Sequence, residues 1–465
     1  MLSYETIARC LDILLSAGAG YADLFAEKGR FFSSESDDRK ISSSIHHQIG
    51  VGIRAVKDNV DYYMVCENFA PDNLIQTTSL LASGIKTSAS GHSVNLSPGF
   101  RPLFYKPETD HSQVETEKKL EILKKSEDIA WHCSKKIKQA TIRYADFERN
   151  IQFASTADDE VLEHKLALVE FMVFVYAGDN GERQLGWNGR SFYRGLEALV
   201  GEDSPESIVR KACTQAEVML EARDCPAGEM PVVFAPGSNG VLFHESCGHG
   251  MEADLVQKGS SFAGMLNHKV ASDKVTIRDS GLIFGYPGSY AFDDEGVDSQ
   301  ETTLIENGRL VNYIHSRNTA RQMKMSPTGS GRRQSLAFPP MPRMRNTYIE
   351  AGPDDPEEII RSTKKGLYAV DVGFGGEVDV VTGRFITSIV LGYMIEDGKL
   401  TYPVKGATIT GLGIKALQDI DMVGNDLIMD PSPGRCGKGQ DVPVGVGMPT
   451  IRVKKLLVGG KGMAI

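Results

Sequence analysis

Two imidazoles and a carboxylate fall within the six residues His244-Glu245-Ser246-Cys247-Gly248-His249, in a chain of 465 residues that has only ten histidines. Neutral imidazoles next to a carboxylate are the parts of a hydrolytic metal centre: the ring nitrogens hold a zinc ion and the carboxylate takes a proton from its water. The familiar spacing is HExxH, with ligands four apart on one face of an α-helix. Here the second histidine comes five residues on, and at about 100° per residue the two rings would diverge by about 140° in an ideal helix. The pair can chelate if the helix widens by one residue into a π-bulge or ends near Gly248. Gly248 and Gly250 lower the cost of either distortion.

A third ligand is required. Glu252 and Asp254 are the local candidates, with His268, His315 and Cys436 further along the chain. Asp254 repeats the five-residue step after His249. Cys436 lies in Gly434-Arg435-Cys436-Gly437-Lys438-Gly439, where glycines let the backbone approach closely and neighbouring cations favour the thiolate. A small buried hydrophobe is the competing reading of Cys436, so the residues alone leave the third ligand open. Cys247 reads as packing, because His249 already serves that end of the motif.

The elements that must carry these residues follow from hydrophobic period and punctuation. A short buried strand at 232–235, a turn at Pro236-Gly237 and Ser238 as a cap introduce a helix that bears Val241, Leu242, Phe243 and His244. Asn307-Gly308 and Asp397-Gly398, each between apolar runs, predict β-hairpins, and residues 385–395 and 449–458 read as strands. In the first half, Ile7, Cys10, Leu11, Leu14 and Leu15 mark an amphipathic core helix. Residues 22–27, 49–56 and 61–65 read as an antiparallel sheet and 166–176 as a further strand. Helices are expected over 113–138 and from Pro205 onward, a loop over 91–109, and a linker over 224–230. Of the 48 glycines, 34 lie after residue 225. The expected fold is α+β, with an antiparallel sheet and helices in residues 1–225 and a mainly β domain in 226–465 that carries the HExxxH helix.

Composition narrows the function classes. With 51 basic against 61 acidic residues the formal charge is -10, which disfavours general nucleic-acid binding. No run approaches the roughly 20 apolar residues of a membrane span. Seven scattered cysteines suit a reducing compartment, so the cytoplasm is the expected location.

Several strings resemble the TldD/PmbA metalloprotease family, and in particular its catalytic TldD branch, which has HExxxH where the PmbA (TldE) branch lacks it. They are PGSNGVLFHESCGHGMEAD, FDDEGVDSQETTLIENGRL, PTGSGRRQS, PPMPRMRNTY, GGEVDVVTGRF, PVKGATITG, MVGNDL and CGKGQDVPVGVGMPT, in that order over the second half. The first half matches less, although VGIRAV is similar to a family strand. The resemblance implies His244, His249 and Cys436 as zinc ligands and Glu245 as general base on zinc-bound water. It further implies unfolded or short peptides as substrates, and a homodimer or a heterodimer with a TldE-like (PmbA) subunit. Ser246-Cys247 and Met448 depart from the residues frequent in the family, and Cys247 beside zinc raises the question of oxidation.

The competing function is a peptide-binding or modulator protein with a structural zinc and no hydrolytic activity; an unliganded Glu245 beside the metal separates the two, since a structural site has no use for it. A thiol enzyme using Cys247 or Cys436 lacks a supporting pattern. Asp293-Asp294-Glu295 is expected to be an acidic solvated turn. His315 and Arg317 remain candidates for binding a substrate carbonyl or carboxylate, and Arg332-Arg333 has no assigned role.

Overall fold

The computed structural model describes residues 1–85, 94–102, 105–373 and 376–460. The first half is built on a seven-stranded sheet in the order Val60–Cys66, Lys40–Lys57, Tyr21–Asp37, Ile137–Ser155, Glu160–Asp179, with Ser97–Pro98 and Glu182–Phe192 both paired to the last. All pairings are antiparallel except that of Ser97–Pro98. The hairpins turn at Asp38-Arg39, Asp58-Asn59 and Asn180-Gly181, all at positive φ, the two-residue geometry that matches strand twist.

Alternation sends successive side chains to opposite faces of this sheet. Ala22, Leu24 and Ala26 meet the helices Tyr4–Ser16 and Pro71–Ile85 through Ile7, Leu11, Leu14, Leu74 and Leu81. Ile142, Tyr144, Phe171 and Val173 meet Thr116–Cys133 and Pro205–Leu220. Phe25, Phe147, Ile151, Phe153 and Leu162 point the other way, onto Tyr290, Phe292 and Leu336 of the second half. Cover on both faces is why 166–176 is nearly continuously apolar rather than alternating.

The second half contains a nine-stranded sheet in which Lys365–Val372 pairs with both Gly228–Phe234 and Arg384–Glu396. With Ile451–Gly459 and Thr408–Leu412 completing the path, five strands close into a ring around Val232, Phe234, Leu367, Met394, Ile409 and Val453. A six-stranded sheet adjoins it, ending in Asp441–Met448 and the edge strand Ile428–Gly437. The architecture is α+β, as expected, and both Asn307-Gly308 and Asp397-Gly398 turn hairpins at positive φ.

Several local expectations are corrected. The helix expected over 113–138 runs Thr116–Cys133, because Ser134 is extended at φ -161° and Ile137 already belongs to a strand. The linker expected over 224–230 is largely strand: Arg223–Asp224 pairs with Lys399–Lys405, and Gly228–Phe234 enters the ring. Part of the loop expected over 91–109 lies outside the described residues; within the rest, Ser97–Pro98 adds a short strand and Pro107 packs near Gly195.

The acidic run at 293–295 is not solvated. Asp293 accepts backbone N–H bonds from Glu295 and Val297 at 2.9 Å and Gly331 at 2.7 Å, and Asp294 accepts from Arg333 N at 2.7 Å. Glu295 meets the buried Arg54 guanidinium at 2.6 Å. The loop passes beneath the first sheet, where buried arginines require anions. Arg317 joins the same network, its backbone N–H on Glu295 at 2.6 Å and its guanidinium on Asp158 at 2.5 Å.

Candidate metal centre

The motif occupies a helical passage that changes pitch. Gly240–Phe243 is α-helical, His244–Gly248 is one π turn, and His249–Met251 is a 3-10 turn. The backbone N–H of His249 bonds the carbonyl of His244, an i to i+5 bond that stacks residues five apart on one face. This is the first of the two distortions that the HExxxH spacing demands. Its neighbours fit it closely. A Cβ on Gly413 would stand 2.4 Å from the Ser246 carbonyl, and one on Gly248 would stand 2.1 Å from Met344 Sδ.

Ser238 does not cap this passage. Asn239 stands at the helix start without a side-chain cap bond, and Ser238 Oγ donates instead to Asp371 Oδ1 at 3.0 Å. The carboxylate draws the hydroxyl away from the backbone.

His244, His249 and Cys436 are all buried, and one ligand atom from each falls within 4.8 Å of the others. The two rings lie 5.4 Å apart, nearly perpendicular at 83°, and His249 Nε2 is 3.4 Å from Cys436 Sγ. Cys436 arrives on the edge strand Ile428–Gly437, far away in sequence. The other third-ligand candidates are occupied elsewhere. Asp254 takes Lys438 Nζ at 2.9 Å, His268 is exposed and bonded to its own Leu266 carbonyl, and His315 is buried beside Thr319. Glu252 accepts the Nδ1–H of His249 at 2.8 Å.

Whether these residues fit a metal can be judged from what they lack. Both ring nitrogens of His244 are buried without a hydrogen-bond partner among the described residues, a costly state for polar atoms unless they serve as ligands. Burial opposes ionisation of the Cys436 thiol, but the charges of His244 and His249 outweigh it and hold the group down to about 5. Burial likewise opposes protonation of His249, yet Glu252 and the Cys436 thiolate raise it well above its ordinary value. Two imidazoles with one thiolate form a donor set suited to zinc, and a bound cation would take the place of the protons these groups otherwise share.

Glu245 stands at the rim. Its oxygens lie 3.7 Å from His249 Nε2 and 4.0 Å from His244 Nε2, and its side chain is 32% exposed. It makes no hydrogen bond among the described residues, so its lone pairs face the cavity. Cys247, by contrast, is fully buried, and burial pushes its thiol up to about 12. It is a packing residue with little thiolate to oxidise.

Sequence reasoning missed the support around the ligands. Glu252 is buried and held down to about 2: burial opposes its ionisation, but His249, Lys438 and Arg343 overcome it. Lys438 Nζ lies 3.1 Å from Glu252, and the buried Arg343 guanidinium donates to the carbonyls of Gln440 and Cys436. Lys438 follows Cys436 by two residues and Arg343 sits in PPMPRMRNTY, so both were visible; only the fold reveals that they meet.

Comparison with known proteins places the chain among relatives. The PmbA/TldA metallopeptidase central-domain model matches residues 109–220 and the C-terminal-domain model matches residues 227–460. A metalloprotease TldD homolog of Haemophilus influenzae is 36% identical over 99% of this chain and 97% of its own. One from Buchnera aphidicola subsp. Schizaphis graminum is 33% identical over 99% and 96%. Among solved structures, TldE from Thermococcus kodakarensis shares the fold with a TM-score of 0.76 at 18% identity, covering 97% of this chain and all of its own. A candidate modulator of a DNA gyrase from Thermotoga maritima superposes with a TM-score of 0.78 at 21% identity, over 98% of this chain and 99% of its own.

Proposed function

The chain belongs to the TldD/PmbA metallopeptidase family, and from that premise we propose that it is a zinc peptidase hydrolysing unfolded or short, extended peptides. The observation that carries this reading is the convergence of His244, His249 and Cys436 on one point beside an unbonded Glu245. Zinc held by these three side chains would acidify a water and polarise a peptide carbonyl.

The chain's own residues do the rest. Glu245, within 4.0 Å of both ligand nitrogens, accepts the proton of the attacking water and returns it to the leaving amine. With Cys436 as a thiolate ligand the metal would acidify its water less than with three neutral ligands, so the proton transfer rests on Glu245. Lys438 holds Glu252 at 3.1 Å, Arg343 adds its charge from 3.8 Å, and Glu252 holds His249, which keeps the ligand rigid while Glu245 moves charge.

Substrate selection by backbone is supported by the strand Glu377–Asp379, which pairs on one side with residues 384–386 and packs next to the motif turn. An extended peptide lying alongside this strand, whose Glu377 lines the cavity at the motif, would be read by its main chain, with many side chains tolerated. Assembly as a homodimer, or with a TldE-like subunit, belongs to the same proposal and draws on the fold shared with TldE. So do a cytoplasmic location, consistent with the seven free thiols, and the division into domains 1–225 and 226–465. None of the described helices is long and apolar enough to cross a membrane.

The test is digestion of a permanently unfolded protein and of its folded counterpart by the zinc-loaded chain, before and after chelation. Chelator-sensitive cleavage of the unfolded form alone is expected; equal cleavage after complete metal removal would reject the reading.

A further inference from the structure

A cavity of about 440 Å³ opens from His244 and Glu245 and runs between the two halves of the molecule. Met172, Phe174, Trp187, Phe385 and Ile386 give it apolar walls. Ser238, Val241 and Glu245 all line it, Ser238 from the turn ahead of the helix, Val241 from the helix and Glu245 from the π turn. Asp371, bonded by Ser238 Oγ, lines the cavity beside that turn, seven residues along the wall from the general base.

Asp371 accepts the Ser238 hydroxyl at 3.0 Å, and the neutral side chains of Gln215 and Trp187 stand beside it. Asp430 lines the same end with Ser432 Oγ at 3.0 Å. Neither forms a salt bridge among the described residues. The nearby Arg190 is engaged by Asp203 at 2.5 Å, and Arg435, the one lysine or arginine among the described lining residues, is neutralised by both oxygens of Glu170 at 2.8 Å. Two ionised carboxylates at an apolar wall without a counterion are costly, and either a proton or a cation relieves that cost. Burial and the charge of Asp430 push Asp371 up to about 7, against its hydrogen bonds.

We propose that Asp371, seconded by Asp430, forms a specificity pocket for the lysine or arginine side chain of a substrate residue next to the scissile bond. The inference rests on the peptidase reading above. A basic side chain carries its charge at the end of an apolar stem of roughly 6 Å, so its backbone can lie by Glu245 while its head reaches Asp371. The walls cover the stem, as apolar surfaces do for such side chains elsewhere.

The test uses N-acetylated, C-amidated peptides that differ at one position, occupied by lysine, arginine, norleucine or glutamate. The zinc-loaded chain should cut beside lysine or arginine at least about 10-fold faster in kcat/KM than beside norleucine, and Asp371→Asn should reduce that ratio below about 2-fold. Anisotropy of labelled peptides on Glu245→Gln gives the same comparison without turnover. Should Asp371→Asn fail to fold, inhibition of the wild-type chain by butylammonium and not by butanol supports the pocket, and equal effects overturn it. Cleavage or binding without charge preference overturns the proposal, as does a preference that follows a free α-amino group. Lysine-selective binding without any hydrolysis would uphold the pocket and strike the peptidase reading instead.

Discussion

Glu252 Oε2 accepts the Nδ1–H of His249 at 2.8 Å, and in doing so turns Nε2 of the same ring toward Cys436 Sγ at 3.4 Å. One hydrogen bond thus fixes both the tautomer and the aim of a candidate ligand. Glu252→Gln should weaken zinc binding by about 10- to 100-fold while leaving all three ligands in place. Competition against a chelator of known affinity measures this; an unchanged dissociation constant would show that His249 is oriented by other contacts.

Cys436 lies on an edge strand, and its thiol, held down to about 5, is ready to bind metal near neutral pH. The purified wild type should carry about one zinc per chain, and Cys436→Ala or His244→Ala should lose it without unfolding. Elemental analysis together with circular dichroism is the check. Full zinc content in Cys436→Ala would remove the cysteine from the ligand set.

The depth to which the site could be read from sequence depended on distance along the chain. The five-residue spacing of His244 and His249 suits chelation only on a distorted helix, and a π turn is what stands there, because the periodicity of a helix is local geometry. The hairpins at Asn307-Gly308 and Asp397-Gly398 were visible for the same reason. The burial of residues 293–295 was not, since it depends on Arg54, more than two hundred residues away, arriving from the first sheet. The choice among Glu252, Asp254 and Cys436 was equally long-range: spacing favoured Asp254, but Lys438 claims it. Ser238 failed as a cap because Asp371 comes from a strand that sequence could not place beside it.

His164 is buried against Phe292, with ring centroids 5.1 Å apart, and burial together with the Arg149 charge depresses it to about 4. Between that value and the ordinary 6.5 the unfolded chain binds the extra proton, so this stabilising contribution is complete above pH 6.5 and is lost as pH falls toward 4. It amounts to roughly 3 kcal/mol for the single group. Urea unfolding at pH 7, 5.5 and 4.5 should show the wild type losing more stability than His164→Gln over this window; parallel losses would contradict the assignment.

The central claim is that Glu245 moves the proton in a metal-dependent peptide hydrolysis, and it can be tested by changing one atom of its side chain. Glu245→Gln keeps the shape of the rim and all three ligands, so zinc content should remain at about one per chain while kcat/KM on an unfolded protein falls by at least about 10²-fold. Zinc retained with activity near that of the wild type would contradict the claim.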